Sequence, residues 1–179
     1  MGESEAQERA PFFRGKLLTP EDLELTQQYF RERFKRHNRS LHGFGIVSGL
    51  NVSVKSGQVV VEQGLALDCE GNEINIERAQ SIIVPSDADR RAAFVNVRFI
   101  DVCADRTAIA EAEESSERTG YLAESFELAV SPENSNRGHR HVRARWLACG
   151  QPHALTIAKL KLSSRGWRVE RGYRAPHTK

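Results

Sequence analysis

The sequence predicts an α+β fold in which a long N-terminal amphipathic helix precedes a mainly antiparallel β-sandwich or barrel. Three observations carry that prediction. A stretch beginning at Thr19 spaces its apolar residues by three, four and seven, the spacing of one helical face. From residue 46 the period falls to two, in short runs separated by turns rich in Gly, Asn and Ser. The 179 residues suffice for one domain with a real core and are too few for two ordinary ones.

Residues 1–11 are acidic and polar and read as a disordered tail, with Phe12 and Phe13 beginning the ordered chain. Residues 12–45 form the helix and its following turn, an assembly element. Thr19 suits the N-cap and Pro20 the first helical position, where its missing N–H costs nothing. Glu21 and Asp22 then sit at the positive end of the dipole, while Arg31, Arg33, Lys35, Arg36 and Arg39 gather at the negative end. Leu23, Phe30, Phe34, His37 and Leu41 make one narrow stripe close to a heptad seam. Such a stripe packs either on its own β domain or against copies of itself. Gly43 is the expected stop.

Residues 46–174 form the β domain. "GLNVSV", "VVVE", "LALD" and "EINIE" are short strands joined by tight turns, and "SIIVP" is another that ends at Pro85. "AAFVNVRFIDVCA" is apolar on both faces over much of its length and is therefore a central strand. Residues 104–120 turn acidic and form an excursion, after which "YLAESFELAV" resumes strand and "SPENSNRG" is a surface loop. "HVRARWLAC", "ALTIAKLKL" and "WRVE" read as further strands, and residues 175–179 as a second tail.

The hydrophobic fraction of 39% and charged fraction of 28% place the chain among globular proteins. A net charge of +2 argues neither for nucleic acid nor for a membrane surface. Cys69, Cys103 and Cys149 are far apart and lack metal-ligand spacing, so reduced thiols are expected. No run approaches the ~18 apolar residues of a membrane span, and the N-terminus lacks a signal core; a soluble protein made in the cytoplasm is expected.

Three groups invite a chemical reading. His37 and His42 lie five residues apart, roughly 140° around a continuous α-helix, so they share a metal only if the helix ends between them. His139 and His141 would stand about 7 Å apart on one face of a strand, close enough for one ion. Four arginines crowd that pair, however, and no carboxylate follows closely. "RERFKRHNR" combines bases with aromatics, but the aromatics belong to the stripe and the flanking acids cancel the field, so no specific nucleic-acid contact is expected. GxSxG, P-loop and GxGxxG motifs are missing. Neither a cofactor nor a metal is assigned, and no catalytic residue is named.

Three blocks of the chain, "FFRGKLLTPEDLELTQQYF", "HNRSLHGFGIVSGLNV" and "VVVEQGLALDCEGNEINI", carry a resemblance. Together they resemble a module with the pattern G-K-x-L-T-x-x-D, H-N-R-x-L-H-G-x-G-V-V-x-G-L and G-x-A-L-D-x-x-G-x-E-I. That module is associated with phage tails and phage-tail-like contractile injection systems, as baseplate or fibre-proximal proteins without known enzymatic activity. The match spans residues 12 to about 84. It falls on Phe13, Gly15, Lys16, Leu18 and Asp22, then on His37, Asn38, Arg39, Leu41, His42, Gly43, Gly45 and Gly49, then on Gly64, Ala66, Leu67, Asp68, Gly71 and Ile74. Ser48 stands where the family often has cysteine.

The resemblance implies a non-enzymatic structural component of a phage tail-like particle, incorporated there after cytoplasmic synthesis. Its partners would be copies of itself, a trimer being favoured, and other tail or baseplate proteins. Phe13, Gly15, Leu18, Leu23, Phe30, Phe34 and the residues from His37 to Gly49 named above would serve interface and architecture. Two alternatives stay open: a carbohydrate- or surface-binding β module, and a metal-dependent enzyme using His139 and His141.

Overall fold

Thr19 caps a helix that runs Pro20–His37 (α1) in the computed structural model, which describes residues 8–84, 91–104, 121–137 and 154–178. A single π turn, Asn38–His42, continues it to Gly43. The described strands follow in chain order: β1 (Gly45–Gly49), β2 (Val52–Lys55), β3 (Gln58–Val61), β4 (Gly64–Leu67), β5 (Glu73–Ile76), β6 (Gln80–Ile83), β7 (Ala92–Ala104), β8 (Tyr121–Ser131), β9 (Leu155–Ser163) and β10 (Gly166–Val169). The class is α+β, one helix followed by mostly antiparallel sheets.

The strands form three sheets of order β1-β4-β5, β2-β3-β6 and β10-β9-β7-β8. Among the described residues the three sheets do not close on one another, so the expected sandwich or barrel takes the form of a half-barrel. Alternation sets the inward faces: Val59 and Val61 on β3, Ile74 and Ile76 on β5, and Val95 and Val97 on β7 are all buried. They meet Leu155, Ile157 and Leu160 of β9 and Ile46 and Leu50 near β1 in one apolar cluster.

β7 is the central strand its two-sided apolar pattern predicts, paired with β8 along Phe94–Ala104 and with β9 along Ala92–Val97. A register shift at Val95/Asn96 turns Asn96 into the interior, where it is only 5% exposed. There Asn96 Oδ1 accepts from the hydroxyl of the fully buried Thr156, and Asn96 Nδ2 donates to Ser131 Oγ at 2.7 Å. Ser135 N donates to Thr156 Oγ1 at 2.8 Å, and Asn136 brackets the Thr156 backbone at 2.8 and 3.0 Å. Asn136 Nδ2 also reaches the Tyr173 hydroxyl at 3.0 Å, whose titration burial pushes up. Composition places "SPENSNRG" on the surface, yet its described part is pinned to the sheet by these bonds, because the interior Asn and Thr need partners.

The last residues also differ from expectation. Residues 175–179 read as a tail, but Ile46 N donates to Pro176 O at 2.8 Å and Thr178 N to Ile46 O at 3.1 Å, so residues 176–178 lie beside β1 in parallel register. β1 would otherwise leave a row of donors unpaired on that side. Near the N-terminus, Ala10 is buried within the stretch expected as a tail. The acidic excursion, "HVRARWLAC" and the His139–His141 pair lie outside the described residues.

Candidate functional site

The start of α1 is tied down by the first block of the sequence pattern. Thr19 Oγ1 accepts from Asp22 N and Asp22 Oδ2 accepts from Thr19 N, both at 3.3 Å, closing a capping box. Lys16 Nζ lies 2.7 Å from Asp22 Oδ1 and 5.8 Å from the Phe12 ring centre. The Lys16 ammonium holds the Asp22 carboxyl below its ordinary value. The Gly-Lys and Thr-Pro-Glu-Asp residues thus set where the helix begins.

The far end is held by the second and third blocks together. Asn38 and Arg39 are buried and face the turn between β4 and β5. Asn38 Nδ2 donates to Gly71 O at 3.0 Å and to Glu73 Oε1 at 3.4 Å, and Arg39 Nη1 donates to Glu70 O. Asp68 braces that turn by accepting from Glu70 N at 2.9 Å, Asn72 N at 2.8 Å and Asn72 Nδ2 at 2.7 Å. Burial pushes the Asp68 carboxyl above its ordinary value. Gly71, at φ +88°, lies so close to the helix that a Cβ there would collide with the Lys35 carbonyl. Gly45, at φ +135°, faces the C-terminal segment as tightly, with Pro176 O at 2.6 Å from the same hypothetical atom.

The expected separation of His37 and His42 is corrected by the π turn. Gly43 N donates to Asn38 O at 3.0 Å, five residues back. An i→i+5 turn holds more residues than an α turn and brings positions five apart toward one line. The two ring centroids are 5.6 Å apart, edge to face at 61°, and both rings are exposed. Gly43 closes the turn at φ +77°, and Gly49 pairs with Gly64 across β1 and β4.

Between its two ends the helix is largely exposed, with Leu25, Thr26 and Tyr29 half-buried. No residue of α1 is buried. On the stripe, Leu23 is 51%, Phe30 50%, Phe34 66% and Leu41 59% exposed, and Leu18 and Phe13 extend the apolar surface at 52% and 67%. A groove of about 550 Å³ runs beneath the stripe, between Phe30 and Phe34 on one side and Phe99 and Gly71 on the other. Gly15, at φ +89°, turns the chain between Phe13 and the capping box. Of the expected site residues, Asn38 and Arg39 are thus buried against the β4–β5 turn and Gly45 and Gly49 lie at close backbone approaches, while the stripe is about half exposed beside the groove.

Sequence reasoning named Gly71 only as part of the resemblance and missed that it, with Glu70 and Glu73, forms the receiving side of the anchor. Their signal was present in the third block, but nothing in spacing alone connects that block to residues 38 and 39. It also missed the buried Asn96–Thr156–Asn136 network, which alternation gives no reason to expect. Among the described residues no three His, Cys, Asp or Glu side chains converge as metal ligands. No described helix is long and apolar enough to cross a membrane.

No family model and no curated protein matches the sequence. Solved structures do share the fold. A chain of the type VI secretion system TssK-TssF-TssG baseplate subcomplex, seen by cryo-electron microscopy, superposes with a TM-score of 0.57 at 14% identity. That match covers 95% of this chain and 62% of the other. A chain of the baseplate complex from the type VI secretion system gives 0.58 at 12% identity, covering 95% of this chain and 42% of the other. The crystal structure of TssK gives 0.51 at 9% identity, covering 92% and 41%. This chain thus spans less than two thirds of the length of each, and the likeness is one of fold.

Proposed function

We propose that this chain is a non-enzymatic structural component of the baseplate of a contractile, phage tail-like particle, acting through oligomeric protein–protein contacts. The observation that carries the proposal is a helix anchored at both ends with no buried residue and a half-exposed aromatic stripe between the anchors. A surface helix leaving such a stripe in water gains little from its own domain, so its stability calls for a partner. The occupant we assign is a second copy of this chain: the stripe steps by three, four and seven, as a self-packing helix seam does. A trimer is the favoured assembly, with other baseplate proteins as further partners. The fold shared with chains of type VI baseplate complexes supports the particle context.

Light scattering coupled to size-exclusion chromatography tests the assembly, and mass spectrometry of purified sheathed particles from producing cells tests the context. A concentration-dependent mass above that of one chain, and the chain's presence in particles, are expected. A stable monomer at micromolar concentration overturns the self-assembling role, and absence from particles overturns the baseplate role.

A further inference from the structure

The turn that carries Asn38 and Arg39 inward does a second thing: it turns His37 and His42 outward together. Their ring centres stand 5.6 Å apart. Two imidazoles that bind one zinc ion at about 2.0–2.1 Å have ring centres roughly 5 Å apart, within a small rotation of two exposed side chains. The pair sits at the carbonyl end of α1, where the helix dipole favours a cation and offsets part of the positive charge of Lys35, Arg36 and Arg39. π turns inside α-helices recur at functional sites because they re-aim side chains in this way.

We infer that His37 and His42 form half of a divalent transition-metal site which neighbouring copies of this chain complete. Imidazole pairs suit zinc, nickel or copper rather than hard cations. Among the described residues no third metal ligand converges here, so one chain holds the ion too weakly to count. His37 lies on the same line as Phe30 and Phe34, so the helix contact proposed above brings such pairs face to face. Two pairs supply the four nitrogens of a tetrahedral site, and three supply six. The inference rests on that self-assembly reading, and the ion would act as a clasp at the base of the contact.

The test uses the full chain, stripped with EDTA and then titrated with zinc chloride, with calorimetry for stoichiometry and light scattering for mass. One ion per two or three chains is expected, together with a zinc-dependent, EDTA-reversible rise in mass or loss of dissociation on dilution. His37→Gln and His42→Gln should each abolish the zinc effect while leaving the circular dichroism spectrum and melting unchanged, since both rings are exposed. A His139→Gln/His141→Gln double variant should keep it. Zinc bound equally by the His37 and His42 variants, one ion per chain without assembly, or loss of the effect only in the His139/His141 variant would each overturn the site. An oligomer in EDTA that zinc leaves unchanged overturns the site and spares self-assembly, whereas a monomer with and without zinc overturns both.

Discussion

Replacing Phe30 and Phe34 together with serine separates a helix that serves assembly from one that serves folding. Phe30 is 50% and Phe34 66% exposed, and a phenylalanine carries roughly 200 Å² of buriable surface, so the pair leaves about 230 Å² in water. At about 25 cal/mol per Å², covering all of it in a contact contributes about 6 kcal/mol per subunit, and covering half about 3. The smaller figure already weakens association by roughly a hundredfold. The isolated chain should lose less, because no residue of α1 is buried, although the covered part of each ring, beside Gly71 and Phe99, still contributes to its stability. Light scattering across about 1 to 100 µM, beside a thermal melt of the same samples, reads both effects. The expected result is a lower mass, with a melting temperature that falls only modestly and no longer depends on concentration. Unchanged mass with unchanged melting would refute the assembly role, and a collapse of melting in a chain that remains monomeric would refute the exposed placement of the stripe.

Four further outcomes follow from the anchors and the core. Gly45→Val forces a Cβ to within 2.6 Å of Pro176 O at φ +135°, and should cost more than about 4 kcal/mol by urea denaturation; a loss under about 1 kcal/mol would contradict the close approach. Asn38→Ala leaves the Gly71 carbonyl without its donor at 3.0 Å and should lower stability by about 1–3 kcal/mol, with amide exchange speeding up first in residues 68–73. Thr156→Val keeps the shape but strips Asn96 Oδ1 and Ser135 N of their partner, and should cost about 2–4 kcal/mol; an unchanged denaturation midpoint would dissolve the network argument. Because burial raises the folded-state pKa of Asp68, the stability it contributes is present in full below its unfolded value near 3.8 and is lost as pH rises through the folded one. Asp68→Asn should therefore gain on the parent as pH increases from acid toward neutral, and the opposite slope would show that the three hydrogen bonds outweigh burial.

Local signals and long-range contacts divide this protein cleanly. Thr19, Pro20 and Asp22 specify the start of α1 through bonds within four residues, and period-two runs specify β2, β3 and β5, because alternation is a property of the strand itself. The stripe was legible for the same reason, as helical spacing depends only on the helix. Of its two outcomes, packing on the β domain or on copies of itself, tertiary structure provides the first only in part, leaving the stripe half exposed beside Gly71 and Phe99.

The π turn marks the limit of local reading. On an unbroken α-helix His37 and His42 diverge, and only the pull of Asn38 and Arg39 into the turn at Glu70, Gly71 and Glu73 makes a wider turn worthwhile. That bargain joins residues more than thirty positions apart. The same holds for residues 176–178 against β1, and for Asn96 meeting Thr156 at a register shift. By itself the sequence determined the elements and their faces, since these follow from spacing, caps and turn chemistry. Tertiary structure alone decided which carbonyls receive the buried polar groups, and with that the outward convergence of two histidines, because such bonds exist only once distant segments meet.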